Sequence, residues 1–156
     1  MDRPRVSVVM PLYNKAGLVR EAIASVQAQT VADWELLVVD DGSTDAGPEQ
    51  ARAAAQADPR IRVLGQANQG VSAARNAAVA QAGADVVAFL DADDVWSPEF
   101  LAAVLALRDR FPQSRWWATG YFIQVENAPP RPNRLAGLPR DFQTGILPNY
   151  FKIAAM

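Results

Sequence analysis

Three carboxylates crowd into four positions at Asp91-Ala-Asp-Asp94, directly after the strand-like run Asp85–Leu90. Like charges so close repel one another unless a cation or strong hydrogen-bond donors neutralise them. A hard divalent ion does this at least cost and keeps coordination positions open for phosphate oxygens. A plainer reading also stands, a solvated acidic turn in which Asp94 or Ser97 caps the next helix. A second acidic pair, Asp40-Asp41, follows another apolar run and makes good turn chemistry with Gly42-Ser43. For Asp40 the turn reading is preferred. Pro11, Tyr13, Asn14 and Lys15 follow a third apolar run, and Asn68-Gln69-Gly70 leads into an Ala-rich stretch that carries Arg75. Tyr13 is either a ligand-facing ring or a rim aromatic. Arg75 has three readings: a phosphate contact, a pin for an acid, or a plain surface charge.

Composition shortens the list of chemistries. The chain has 156 residues, 50% hydrophobic and 21% charged, with formal net charge −2 and neither Cys nor His. Disulfides, thiolate nucleophiles, Zn–Cys sites, the Ser-His-Asp triad and imidazole metal ligands are therefore excluded. Any metal must sit on oxygen, which favours Mg²⁺, Mn²⁺ or Ca²⁺. Acid–base work falls to Asp and Glu. A charge near zero gives no electrostatic reason to bind nucleic acid. Apolar runs are short, so no membrane span or signal-peptide core is expected. Lys15 is one of only two lysines. That bias, with the many alanines, reads as a high-GC genome rather than a function.

Short β-branched runs alternate with helical patterns, and these must position the polar groups. Val6–Met10 predicts a strand stopped by Pro11, which cannot donate to a ladder. Helical spacing covers 16–29, and Trp34–Val39 predicts a second strand ended by Asp40-Asp41. Thr44 or Asp45 is expected to cap a helix through the alanines at 51–55, and Ile61–Leu64 predicts a third strand. A helix over 71–82 closes on Gly83 as a C-cap, Asp85–Leu90 makes a fourth strand, and Ser97-Pro98 opens a helix to Arg110. Trp116–Val125 predicts a last strand, and the Pro-rich stretch 127–148 a long irregular loop. This order implies an α/β fold, a mostly parallel sheet with helices on both faces. Ligands of such sheets bind outside the carboxyl ends of the strands, where the acids, Tyr13 and a helix N-terminus suited to an anion all fall.

Four ordered motifs carry a resemblance: Val-Val-Met-Pro-Leu-Tyr-Asn-Lys (8–15), Trp-Glu-Leu-Leu-Val-Val-Asp-Asp-Gly-Ser-Thr-Asp (34–45), Asn-Gln-Gly-Val-Ser-Ala-Ala-Arg-Asn (68–76) and Phe-Leu-Asp-Ala-Asp-Asp (89–94). Together they resemble the nucleotide-sugar-binding half of family 2 glycosyltransferases, over about residues 5–125. The resemblance implies the GT-A fold, Rossmann-like, and transfer of a sugar from a nucleoside-diphosphate donor, a UDP-sugar, to an acceptor hydroxyl with inversion. It implies that Pro11, Tyr13 and Asn14 belong to the nucleotide-sugar pocket, Tyr13 stacking near the base. Asp41 would accept a hydrogen bond from the base, and Arg75 would sit near base or phosphates. Asp91 and Asp93 match the Asp-x-Asp motif, Asp93 ligating Mn²⁺ or Mg²⁺ and Asp91 contacting the ribose or a metal-bound water.

The match also departs from the family. Its general base, commonly an Asp in a Glu-Asp pair, has no counterpart. The acids after Asp94 are Glu99, Asp109, Glu126 and Asp141, and none fits that motif. The expectation is a donor-binding subdomain over 1–126 and, over 127–156, the Pro-rich loop with the start of an absent acceptor half. Such a truncated chain would bind donor yet transfer poorly, and would self-associate through bared apolar surface. The expected acceptor is a saccharide or a lipid-linked one, and the expected location the cytoplasm or the inner face of the membrane. Two rivals remain. One is a non-catalytic nucleotide-binding or interaction domain. The other is a haloacid-dehalogenase-like phosphatase, with Asp91 as nucleophile and Asp93 as general acid.

Overall fold

The computed structural model describes residues 3–115, 117, 121–123, 129 and 131–133. In chain order these form β1 (Val6–Leu12), α1 (Val19–Gln27), β2 (Trp34–Asp41), α2 (Gly47–Ala57), β3 (Ile61–Gln66), α3 (Val71–Val79), β4 (Val87–Phe89), α4 (Phe100–Arg110), β5 (Tyr121–Ile123) and β6 (Arg131–Asn133). Contacts divide the chain into two compact units, 1–102 and 103–156. In the first, four strands form a sheet in the order β3-β2-β1-β4, with every pairing parallel. In the second, β5 and β6 pair antiparallel.

The two central strands explain the sheet. Val6, Val8, Val9, Met10 and Leu12 of β1 and Leu36–Val39 of β2 are all buried, so residues of both parities lie under cover. Continuous apolar runs of this kind suit a parallel strand covered on both faces. On one face Val9, Leu37 and Val39 pack with Ala74 and Ala78 of α3. Small side chains there let the helix lie close to the strands. Among the described residues no helix is long and apolar enough to cross a membrane.

The expected alternation of strands and helices is present, but several bounds differ for physical reasons. β1 does not stop at Pro11; it runs through to Leu12, with Pro11 opposite Val39. Ser7 N–H donates to Val86 and Leu90 N–H to the Val9 carbonyl, so odd residues of β1 address the β4 side. Pro11 falls on that side beyond the end of β4, where no donor is required. β2 and β3 likewise continue, pairing Asp40 with Gly65 and Asp41 with Gln66. Neither Thr44 nor Asp45 is the N-cap of α2; that position is Ala46, with no side-chain cap. Asp45 Oδ1 accepts from Gly47 N–H at 2.9 Å, and its Oδ2 from Ala16 N–H at 2.8 Å.

α3 ends at Val79 with Ala80 as its C-cap, so Gly83 is not a helix cap. Gly83 N–H instead donates to Glu35 Oε1 at 2.6 Å. α1 stops at Gln27, short of the expected Gln29. The buried Gln29 amide accepts from Leu101 N–H at 2.9 Å and donates to the Ser97 carbonyl at 2.7 Å. Trp96 N–H reaches Ser25 Oγ at 3.2 Å. The chain leaving the acid cluster is thereby fastened to α1, and α4 begins at Phe100 rather than at Pro98. The Pro-rich stretch contains β6, so it is not wholly irregular. Trp116, the rest of that stretch apart from Pro129 and including Asp141, and the C-terminal residues 150–156 lie outside the described residues.

Candidate functional site

A cleft of about 380 Å³ opens at the carboxyl end of the sheet. Four segments line it: Pro11 near the end of β1 with Tyr13 and Lys15 just after it, Asp41 at the end of β2, Asn68, Gly70 and Val71 at the entry to α3, and Asp91 and Asp93 after β4. A volume of this size falls within the range of small-ligand pockets. Tyr13 is 49% exposed, an aromatic face left open rather than packed away.

Asp41 is the buried anchor of the cleft, 3% exposed. Its Oδ1 accepts from Gln66 Nε2 at 2.7 Å and from Gln69 N–H at 2.9 Å, and its Oδ2 from Gly70 N–H at 2.8 Å. The Gln69 amide, with Gln66 and Gly70, holds this carboxyl below the ordinary range against the opposing effect of burial. The anion expected at the N-terminus of α3 is thus supplied by the chain itself. One lone pair of Oδ2 is left for a further donor. Gly70 sits at φ +88°, and a Cβ on Gly42 (φ +74°) would lie 2.9 Å from the Asn68 nitrogen. Both glycines are therefore demanded by the backbone that brings these turns together.

The acid cluster is neutralised by side chains from elsewhere in the chain. Arg75 Nη2 donates to Asp91 Oδ1 at 2.6 Å, and Lys15 Nζ to Asp93 Oδ2 at 2.7 Å. The partners are 35% and 44% exposed in the first pair and 40% each in the second. Buried Ala92 and a turn bond from Asp94 N–H to the Asp91 carbonyl at 3.0 Å fix the acids relative to each other. Asp94 has no ion pair among the described residues. Partial desolvation, with Asp93 and Asp91 beside it, raises its carboxyl above the ordinary range. The bond to Asp93 raises the Lys15 ammonium in turn.

Of the residues singled out in the sequence, Pro11, Tyr13, Asp41, Asp91 and Asp93 line one cleft. Arg75 stands behind them, pinning Asp91. Asn14 does not line the cleft. At φ +51°, its Oδ1 accepts from Thr44 N–H at 2.8 Å, tying the loop after β1 to the loop after β2. Asp40 has the expected turn role, accepting from Ser43 N–H at 2.9 Å. Sequence reasoning passed over Gln66, gave Gln69 no role of its own, and read the rarity of Lys15 as genome bias rather than function. Lys15 carried a usable signal, a rare lysine beside the first polar cluster. Nothing local marks Gln66, and Gln69 serves through its backbone amide, which no side-chain pattern reveals.

The donor set suits a hard divalent cation in part. Asp91 and Asp93 offer carboxylate oxygens from one fixed turn to an open cleft. No group of three or more Asp, Glu, His or Cys among the described residues could hold a metal ion. A cation there would have to complete its shell from ligand oxygens and water, as Mg²⁺ and Mn²⁺ do on diphosphates.

Comparison with known proteins shows the family. The family model described as glycosyl transferase family 2 matches residues 7–154. An uncharacterised glycosyltransferase of Nostoc sp. is 46% identical over 102 residues, covering 65% of this chain and 32% of the relative. The succinoglycan biosynthesis protein ExoW of Rhizobium meliloti is 41% identical over 119 residues, 74% of this chain and 37% of that protein. The chain spans about a third of the length of these relatives. Among solved structures, S. aureus TarS 1-349 in complex with UDP-GlcNAc superposes with TM-score 0.64 at 30% identity, over 69% of this chain and 32% of that one. The mannosyltransferase PcManGT of Pyrobaculum calidifontis, in complex with GDP-Man and Mn²⁺, gives TM-score 0.62 at 32% identity, over 66% and 32%. The fold of this chain is that of the GT-A glycosyltransferases, and the chain belongs to glycosyl transferase family 2.

Proposed function

We propose that the cleft binds the nucleoside-diphosphate part of a sugar donor, a UDP-sugar, as the donor site of an inverting, metal-dependent glycosyltransferase. The acceptor is a hydroxyl of a saccharide or lipid-linked saccharide at the inner face of the membrane. The observation that carries this reading is the convergence of Tyr13, Asp41, Asp91 and Asp93 from three strand ends on a single cleft. The solved relatives that hold UDP-GlcNAc and GDP-Man with Mn²⁺ support it.

Each group has a task its geometry permits. The exposed Tyr13 ring offers a stacking face for a nucleobase. Asp41, already oriented by three donors, has one lone pair for a base N–H, and its depressed carboxyl stays ionised to accept it. Asp91 and Asp93 would hold a Mn²⁺ or Mg²⁺ against the diphosphate. When bound, that ion supplies Lewis-acid stabilisation of charge developing on the leaving group. Acceptor deprotonation is assigned to no described residue, because the acids lining the cleft are all engaged by internal donors.

Thermal unfolding with UDP, GDP, dTDP or CDP, each with and without Mn²⁺, tests the reading. A ligand at 100 times its Kd stabilises by about 2.7 kcal/mol, a shift of about 5–10 °C at this size. One nucleotide is expected to act, with Mn²⁺, and Asp93→Ala to remove the metal-dependent part. No shift with any pair would overturn the assignment.

A further inference from the structure

Two cations stand against the acid cluster, and they are not equivalent. Arg75 belongs to α3, does not line the cleft, and has its Nε buried without a partner. It is held from behind. Lys15 lines the cleft itself, on the loop after β1, and crosses it to reach Asp93 Oδ2 at 2.7 Å. Its ammonium rides on a flexible four-carbon stem, and both partners are 40% exposed. An ion pair so open to water contributes little and is readily exchanged.

We propose that Lys15 is a displaceable counter-ion: it occupies Asp93 in the empty cleft, yields that carboxylate to the divalent cation, and then serves the donor diphosphate. This inference rests on the donor-site reading above. An ammonium and a divalent cation compete for the same carboxylate oxygen, because an oxygen coordinated to the metal cannot also accept at full strength and two cations repel. Asp93 is the carboxylate exposed to that competition, since Asp91 is held by an arginine outside the cleft. Once released, the Lys15 ammonium remains within the same cleft, where an incoming diphosphate brings negative charge beside Asp91 and Asp93. A lysine suits this role as a mobile point charge, whereas a guanidinium fork would lock onto the acid.

Removing the ammonium should therefore move two affinities in opposite directions. The 156-residue chain is titrated with Mn²⁺ alone, read by electron paramagnetic resonance of the free ion, and with UDP and GDP in the presence of chelator, read by calorimetry. Lys15→Met is expected to bind Mn²⁺ about two- to fivefold more tightly. The same variant is expected to bind the responsive nucleoside diphosphate about three- to tenfold more weakly without metal. Lys15→Gln, a second neutral variant, should behave alike. A residue that merely stabilised the loop would weaken both. Changes of the same sign, or none, overturn the inference while leaving the donor site standing. A wild-type chain that binds neither Mn²⁺ nor any nucleoside diphosphate overturns both.

Discussion

Glu35 and Asp41 occupy opposite ends of β2 and project from the same face, since odd positions along a strand alternate to one side. Each ties down one flank of α3. Glu35 Oε1 accepts from Gly83 N–H and from Ser7 Oγ, both at 2.6 Å, and Asp41 accepts from Gln69 and Gly70. The amino end then closes on itself: Arg62 stands 3.7 Å from Glu35 Oε2, and Ser7 Oγ accepts in turn from Ala84 N–H at 3.0 Å. The carboxyl end does not close. Asp41 keeps a lone pair, Tyr13 is open, and Asp91 and Asp93 are each met by one cation at half-exposed contact. The same device, a strand-end carboxylate holding loop amides, is structural where every partner is internal. It becomes a site where the partners can be exchanged.

The largest expected effect separates the two ends directly. Asp41→Asn turns an acceptor into a donor against the Gln69 or Gly70 amide, leaving buried donors opposed. Affinity for the responsive nucleoside diphosphate should fall about a hundredfold. Glu35→Gln should leave that affinity within about twofold while lowering unfolding stability by about 1–2 kcal/mol. Calorimetric titration beside denaturant unfolding reads both quantities. Equal losses of affinity in the two variants would erase the distinction between the ends.

A smaller effect tests whether backbone shape, and not only charge, distinguishes the site. Gly70 has φ +88° with open space where a Cβ would stand, so Gly70→Ala meets no clash and costs only conformational strain. That strain is about 1–2 kcal/mol. Because its amide also serves Asp41, nucleotide affinity should drop about tenfold with it. Gly65→Ala, likewise in open space but without a positive φ, is the matched control and should alter neither. Loss of stability without loss of affinity would mean that the turn before α3 can rearrange without disturbing the cleft.

These contrasts also show which parts of the molecule local sequence can express. Periodicity and β-branched runs placed β1 to β4 and α1 to α3 in order, because a strand or helix declares itself through its own neighbours. The ends were harder. Pro11 reads as a stop until the hydrogen-bonding side of each β1 residue is known, and that depends on where β4 ends. Gly83 has the look of a helix cap, yet its amide is claimed by Glu35, far away in the chain. At the site, the acids and Tyr13 were legible from their clustering after apolar runs. Their partners were not. Arg75 and Lys15 select Asp91 and Asp93 only through the fold, and Gln66 meets Asp41 only because β2 and β3 pair in that register.

The smallest expected effect concerns acid, and it sharpens the contrast from the other side. At the amino end of the sheet, just before β3, Arg60 donates to Asp58 at 2.8 Å and lies 3.7 Å over the Trp34 ring. The Arg60 hydrogen bond pulls the Asp58 carboxyl down to about 2. A folded-state value below the unfolded one contributes stability that is complete above about pH 4 and disappears as pH falls through about 2. The contribution is about 1–2 kcal/mol once screening at the exposed Arg60 is allowed for. Asp58→Asn should lower stability by that amount at pH 7 and flatten the loss between pH 4 and 2, though not abolish it, since Asp41 is also depressed. Asp94 works in the opposite sense: its raised carboxyl is a cost while ionised, so Asp94→Asn should be neutral to stabilising at pH 7. Unfolding free energies measured from pH 7 to 2 decide the matter. If Asp58→Asn retained the full acid slope, the depressed Asp41 carboxyl of the open end, and not the Asp58–Arg60 pair of the amino end, would govern how the fold fails in acid.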